Sequence, residues 1–146
     1  DVVKGFTHSS EFISLCSTYG ITPYAGYSSD LVVQFVTRFY TYCLNRDPDI
    51  SGLNSWVANL KGASKTGADV ASGFVFSTEC ESRSLTDSDW LDMLYLAFFG
   101  READTAGKNA WLTQMSSGTS KSTVLTGFVQ ATEFSNLCAQ YGINPY

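Results

Sequence analysis

The stretch Asn45-Arg46-Asp47-Pro48-Asp49-Ile50-Ser51-Gly52-Leu53-Asn54-Ser55-Trp56 returns as Gly100-Arg101-Glu102-Ala103-Asp104-Thr105-Ala106-Gly107-Lys108-Asn109-Ala110-Trp111. Arg, Asp, Gly and Trp keep their mutual spacing, so the chain must fold as copies of one unit, each burying its apolar face against the other. A third copy is partial. Gly5 to Tyr24 matches Gly127 to Tyr146, sharing Gly, Phe, Glu, Phe, Leu, Cys, Tyr, Gly, Ile, Pro and Tyr in order. The expected organisation is one module over 1–146, in which 1–27 closes a preceding repeat, 28–85 is repeat one and 86–146 is repeat two. Beginning inside a repeat, the chain reads as one module of a longer protein.

The periodicity inside each copy is helical. Leu31, Val32, Phe35, Val36, Phe39, Tyr40 and Cys43 mark one wide apolar face, and Leu91, Leu94, Tyr95, Phe98 and Phe99 mark its counterpart. Pro48 stops the first of these helices, and Asp49 is placed to cap a second that carries Leu53, Trp56, Val57 and Leu60. Third helices are expected over 68–76 and 122–130. Each leads into a short fourth helix, whose N-cap is expected at the hydroxyl of Ser10, Thr78 or Thr132, with Glu11, Glu79 or Glu133 in the first turn. Gly20 and Gly142 supply left-handed stops. The predicted fold is all-α, a helical bundle of two tandem pseudo-equivalent repeats forming two lobes.

Composition narrows the partners. The chain of 146 residues has 16% charged side chains and a net charge of −5, with no basic cluster, which excludes nucleic acid and anionic membrane surfaces as partners. No apolar run approaches the roughly 20 residues of a membrane span. A single histidine, no nucleophile elbow and no phosphate-binding glycine loop leave no visible enzyme, and no cofactor is expected. His8 occupies the repeat position of Phe76 and Gln130, a variable place that suits surface or packing use. Asp47-x-Asp49-x-Ser51-Gly52 imitates the opening of a calcium loop, but Ala58 stands where the bidentate Glu belongs. The expectation is therefore no metal, with Asp49 as a cap paired to Arg46, as Asp104 is to Arg101.

Phe35-Val36-x-x-Phe39-Tyr40, then Leu44-x-Arg46-x-Pro48-Asp49-x-x-Gly52-Leu53-x-x-Trp56, then Gly73-Phe74-x-x-Ser77-x-Glu79 resembles an uncharacterised helical repeat family with the signature F-V-x-x-L-Y-x-x-x-L-G-R-x-P-D-x-x-G-L-x-x-W. That family occurs in exported, multimodular bacterial proteins, including carbohydrate-adherence proteins of gut anaerobes. The resemblance spans nearly the whole chain and implies a secreted or cell-surface location, beside other modules of a larger protein. Repeat two departs from the signature at Ala103 and Lys108.

An exported setting bears on the four cysteines. Cys43 and Cys80 replace Phe98 and Phe134 of the sister copy, on helices expected to pack together, which suggests a Cys43 to Cys80 disulfide. Cys16 and Cys138 are repeat equivalents, either bridged or left as buried thiols. Aromatic side chains are the remaining clue, because sugar rings stack their C–H faces on Trp and Tyr. Tyr24, Tyr27 and Tyr146 lie in loops beside Gly or Pro, and Trp90 is expected to project from the start of its helix. Trp56 and Trp111 lie on the core stripe, with stacking open to them if they reach a groove. These six are the candidate carbohydrate-binding residues, and the expected activity is that of a non-catalytic module for polysaccharide, an α-glucan such as starch first. The alternative is a protein-interaction or surface-layer scaffold.

Overall fold

The computed structural model describes residues 30–146; the candidates Tyr24 and Tyr27, with His8, Glu11 and Cys16, lie outside the described residues. Every regular element among the described residues is helical, so the all-α prediction holds. Helix α1 (Leu31–Phe39) starts at Asp30, whose carboxylate accepts from the Val32 amide at 3.0 Å, and runs into a π-helical turn, Tyr40–Leu44. Helix α2 is Ile50–Lys61, α3 is Gly67–Val75 and α4 is the short Thr78–Ser82. The same order follows in the second copy: α5 (Asp87–Leu94) with a π turn at Tyr95–Phe99, α6 (Thr105–Ser116), α7 (Lys121–Val129) and α8 (Thr132–Gln140).

Each first helix ends in the same way. The chain turns out of the π segment through a left-handed residue, Asn45 at φ 53° or Gly100 at φ 70°, the two residue types best able to adopt it. A helix end leaves its last carbonyls without intrahelical partners. Here arginines from other elements take them: Arg83 donates to the Tyr42 and Cys43 carbonyls at 2.8 and 2.6 Å, and Arg38 donates to Leu96 and Ala97, both at 2.6 Å. Since Arg38 belongs to the first copy and Leu96 to the second, this bond ties the copies together.

The core is aromatic where the copies meet. Phe39 and Phe98 pack edge to face at 5.7 Å, and Phe98 also touches Phe128 and Phe134. All four are fully or nearly fully buried.

Two expectations on local structure need correction. The cap of α4 is Ser77, whose hydroxyl accepts from the Cys80 amide at 3.1 Å, and not Thr78. The matching place before α8 is Ala131, which has no side-chain oxygen to offer, so Thr132 is the first helical residue there too. The fourth helix is also not short in both copies: α4 has 5 residues and α8 has 9.

The expected Cys43 to Cys80 disulfide is not formed in this structure. Both are free, buried thiols, and the Cys80 sulfur lies 3.8 Å from the Met93 sulfur. Burial, then the proximity of Cys80, pushes the Cys43 thiol well above its ordinary pKa. Cys138 is likewise free and buried.

Candidate functional site

The repeated Arg-x-x-Asp loops come first, because they look most like chemistry. Asp49 accepts from the Gly52 amide at 2.7 Å and from the Ser51 hydroxyl at 3.0 Å, and Asp104 accepts from Gly107 at 2.7 Å. These are N-cap bonds, and they hold both carboxyls below the usual carboxylate range. Arg46 lies 3.5 Å from Asp49 and Arg101 lies 3.5 Å from Asp104, as the sequence suggested.

The stronger partner of each arginine is one the sequence reading assigned to the helix dipole instead. Arg46 grips Glu79 through Nε and through Nη2, the second bond at 3.0 Å, while Arg101 grips Glu133 at 2.9 and 3.1 Å. Their two-pronged donation lowers the Glu79 and Glu133 pKa values and raises those of the arginines. Arg46 also covers the Tyr40 ring at 5.0 Å and Arg101 covers Tyr95 at 5.2 Å. The buried tyrosines reach the next helix at a glycine: a Cβ on Gly107 would sit 2.6 Å from the Tyr95 hydroxyl. Every polar group in this constellation is satisfied by another, which makes it a clamp between loop and fourth helix.

The tryptophans are wedges of the same kind. Trp56 packs on Phe74 at 5.6 Å and Trp111 on Phe128 at 5.8 Å, each half-buried. Added Cβ atoms on Gly73 and Gly127 would lie 2.8 and 2.7 Å from the respective indole edges. Trp90 does not project from the domain. It is 4% exposed, and the Lys121 ammonium sits over its ring at 5.2 Å. The helix starts earlier than expected, at Asp87, so Trp90 falls on the inward face of its first turn. Tyr146 is 64% exposed, and its hydroxyl lies 3.3 Å from that of Ser135.

Between α3 and α7 lies the largest groove on the described surface, with a volume of about 650 Å³. Ala68, Ser72 and Phe76 line it from α3, while Ser122, Thr126 and Gln130 line it from α7, with Leu125 and Val129 beneath and Tyr146 at its edge. The four-residue spacing puts each trio on one helix face. The two trios are also repeat equivalents, so the groove is built where the two copies present the same face to each other.

The helices run in opposite directions. Phe76, at the end of α3, shares a neighbouring cavity of about 250 Å³ with Lys121, at the start of α7. At the opposite end, the amides of Gly67 and Ala68 donate to the Asn144 and Pro145 carbonyls at 2.8 and 2.9 Å, which brings Tyr146 there. The groove therefore has an aromatic ring near each end, Phe76 and Tyr146, separated along α3 by about 12 Å at the helical rise of 1.5 Å per residue. Ser72, Ser122, Thr126 and Gln130 supply uncharged polar groups between them, all exposed. No charged side chain lines the groove among the described residues.

Of the six candidate carbohydrate-binding residues, this groove holds Tyr146 alone. Trp56 and Trp111 belong to the packing of α2 and α6, and Trp90 is buried. The residues the sequence reading passed over are the two serine/threonine-bearing trios. Their signal was present: Ala68/Ser122, Ser72/Thr126 and Phe76/Gln130 differ between copies inside helices whose buried positions match.

The chain belongs to the family described as a domain of unknown function, DUF4214, whose model matches residues 25–84 and, overlapping, 71–138. No curated protein and no solved structure matches it.

Proposed function

We propose that this chain is a non-catalytic carbohydrate-binding module, part of a larger secreted or cell-surface protein, with neutral α-glucan as its first ligand class. The observation that carries the reading is the α3/α7 groove, with an apolar floor, a ring near each end and uncharged hydroxyl and amide groups along its walls. Sugars present that pattern in reverse, with C–H faces for the rings and hydroxyls for the rims. A spacing of about 12 Å between rings suits a short run of sugar residues better than a single one. The two copies act as two lobes in this reading, each giving one wall. The resemblance to modules of carbohydrate-adherence proteins points the same way, as analogy.

The test is native affinity electrophoresis on a polysaccharide panel that includes soluble starch. The wild type is expected to be retarded by α-glucan, with Tyr146→Ala weakening binding about fivefold, the worth of one stacked ring at about 1 kcal/mol. Ser72→Trp, at an exposed position, fills the groove and abolishes retardation while leaving the circular dichroism unchanged. Retardation of Ser72→Trp at wild-type strength removes this site. A wild type retarded by no polysaccharide leaves the protein-interaction scaffold as the reading to pursue.

A further inference from the structure

The closing segment of the chain, α8 and the tail after it, is seated on parts of the molecule remote in sequence. Glu133 is gripped by Arg101, Phe134 packs on Phe98 at 5.1 Å, and Cys138 and Phe134 lie against the start of α3. The contact with α3 depends on a missing side chain: a Cβ on Gly67 would come within 2.7 Å of the Cys138 sulfur and 3.3 Å of the Phe134 ring. Gly142, at φ 68°, then turns the chain so that Ile143 is buried to 7% exposure. The Asn144 and Pro145 carbonyls beyond it accept the first two amides of α3. Helix α3 thus has its N-terminus completed by a segment about 75 residues further along the chain.

The sequence carries this plug twice. Glu11, Phe12, Leu15, Cys16, Gly20, Ile21, Pro23 and Tyr24 repeat Glu133, Phe134, Leu137, Cys138, Gly142, Ile143, Pro145 and Tyr146 at identical spacing. Thr22 stands for Asn144, but the seat uses only the carbonyl of that residue. Ile13 stands for Ser135, whose side-chain bond to Tyr146 lies within the plug itself. Among the described residues there is one seat that combines a glycine at the start of a third helix with the fork of the sister copy. The equivalent of Gly67 in α7 is Lys121, whose side chain is committed to Trp90 and Asp87.

We propose that the Gly67/Arg101 seat is an exchange site that accepts residues 10–24 of a second copy of this chain in place of its own residues 132–146, linking copies head to tail. Glu11 takes the Arg101 fork, Phe12 and Ile21 fill the places of Phe134 and Ile143, and the Thr22 and Pro23 carbonyls receive the α3 amides. Because the surface used differs on the two partners, the association is heterologous and extends into chains. The resident segment is tethered and so holds the seat at high effective concentration, which keeps exchange weak until the resident is loosened. The inference does not depend on what the α3/α7 groove binds.

The experiment uses the full chain and a fluorescent peptide of residues 8–26 under reducing conditions, read by anisotropy. Saturable binding is expected. Glu133→Gln loosens the resident segment and should tighten peptide binding about two- to fivefold, the scale of an exposed ion pair. The peptide carrying Ile21→Asp should not bind, and in the full chain Ile21→Asp should remove concentration-dependent association in sedimentation velocity. Circular dichroism shows whether Glu133→Gln is folded. Equal binding of the Ile21→Asp peptide overturns the proposal, as does absence of saturable peptide binding to both the wild type and folded Glu133→Gln.

Discussion

Repeat one and repeat two share a skeleton and differ in what fills it. In both, an arginine grips a glutamate and covers a tyrosine, an aspartate caps the second helix, and a tryptophan rests on a glycine of the third. At the interior places where repeat two has Phe98 and Phe134 in contact at 5.1 Å, repeat one has the thiols Cys43 and Cys80. Repeat one also ends its fourth helix after 5 residues, where repeat two continues for 9. The comparison teaches that the clamps define the unit. The interior and the closing helix can vary around them.

The sharpest consequence is chemical. The three described thiols are buried, and desolvation pushes Cys138 up to about 12. A thiol so shifted has its reactive thiolate reduced about a thousandfold relative to an ordinary cysteine. Alkylation of the native, unreduced chain at pH 8 should leave Cys43, Cys80 and Cys138 unlabelled, and alkylation in denaturant without reductant should label all three. Persistent protection of Cys43 and Cys80 in denaturant would mean that repeat one is held by a bridge and not by packing.

Next in size is the interior. Phe98→Ala removes a ring that contacts Phe39, Phe128 and Phe134 and should cost about 3–5 kcal/mol in denaturant unfolding. Cys43→Ala, at the equivalent place, should cost about 1 kcal/mol, because only a small buried group is lost. Equal losses would show that the copies share one interior logic after all.

Shared features should respond equally. Gly73→Ala and Gly127→Ala each thrust a methyl at an indole edge, at 2.8 and 2.7 Å, and should each cost about 1–3 kcal/mol. A large asymmetry would identify the copy in which the wedge can rotate away. Both tryptophans report the change through their fluorescence.

Much of this was legible in the sequence because repetition marks it. The loop from Arg46 to Trp56 fixes the order of helices, Asp49 and Asp104 announce their caps, and Gly142 its left-handed turn. The Arg–Glu forks were not read because the partners lie 33 and 32 residues apart, beyond any local periodicity. A glutamate in a first helical turn also has a sufficient local explanation in the dipole. The groove was missed for a different reason. Ser72, Ser122 and Thr126 are ordinary surface residues on their own helices, and only the antiparallel meeting of α3 and α7 makes them face one another. Trp90 was misplaced by one helical turn, enough to exchange surface for interior.

The smallest effect concerns the clamps themselves, and its sign follows from the carboxylates. The Arg46 and Arg101 forks lower Glu79 and Glu133, while the Gly52 and Gly107 amides lower Asp49 and Asp104. A carboxyl whose folded pKa lies below its unfolded value of about 4 binds its proton more readily when unfolded. The stability it contributes is therefore fully present above that unfolded value and is lost as the pH falls through the folded one. Unfolding followed from pH 7 downward should show a flat region to about pH 5 and a decline below it. Both copies carry the same set of bonds, so Glu79→Gln and Glu133→Gln should each flatten the decline by a similar amount and leave the plateau little changed, because exposed pairs contribute modestly. If Glu133→Gln lowers the plateau much more than Glu79→Gln does, the fork of repeat two holds more than its own copy together. That outcome would agree with its place in the seat of the closing segment.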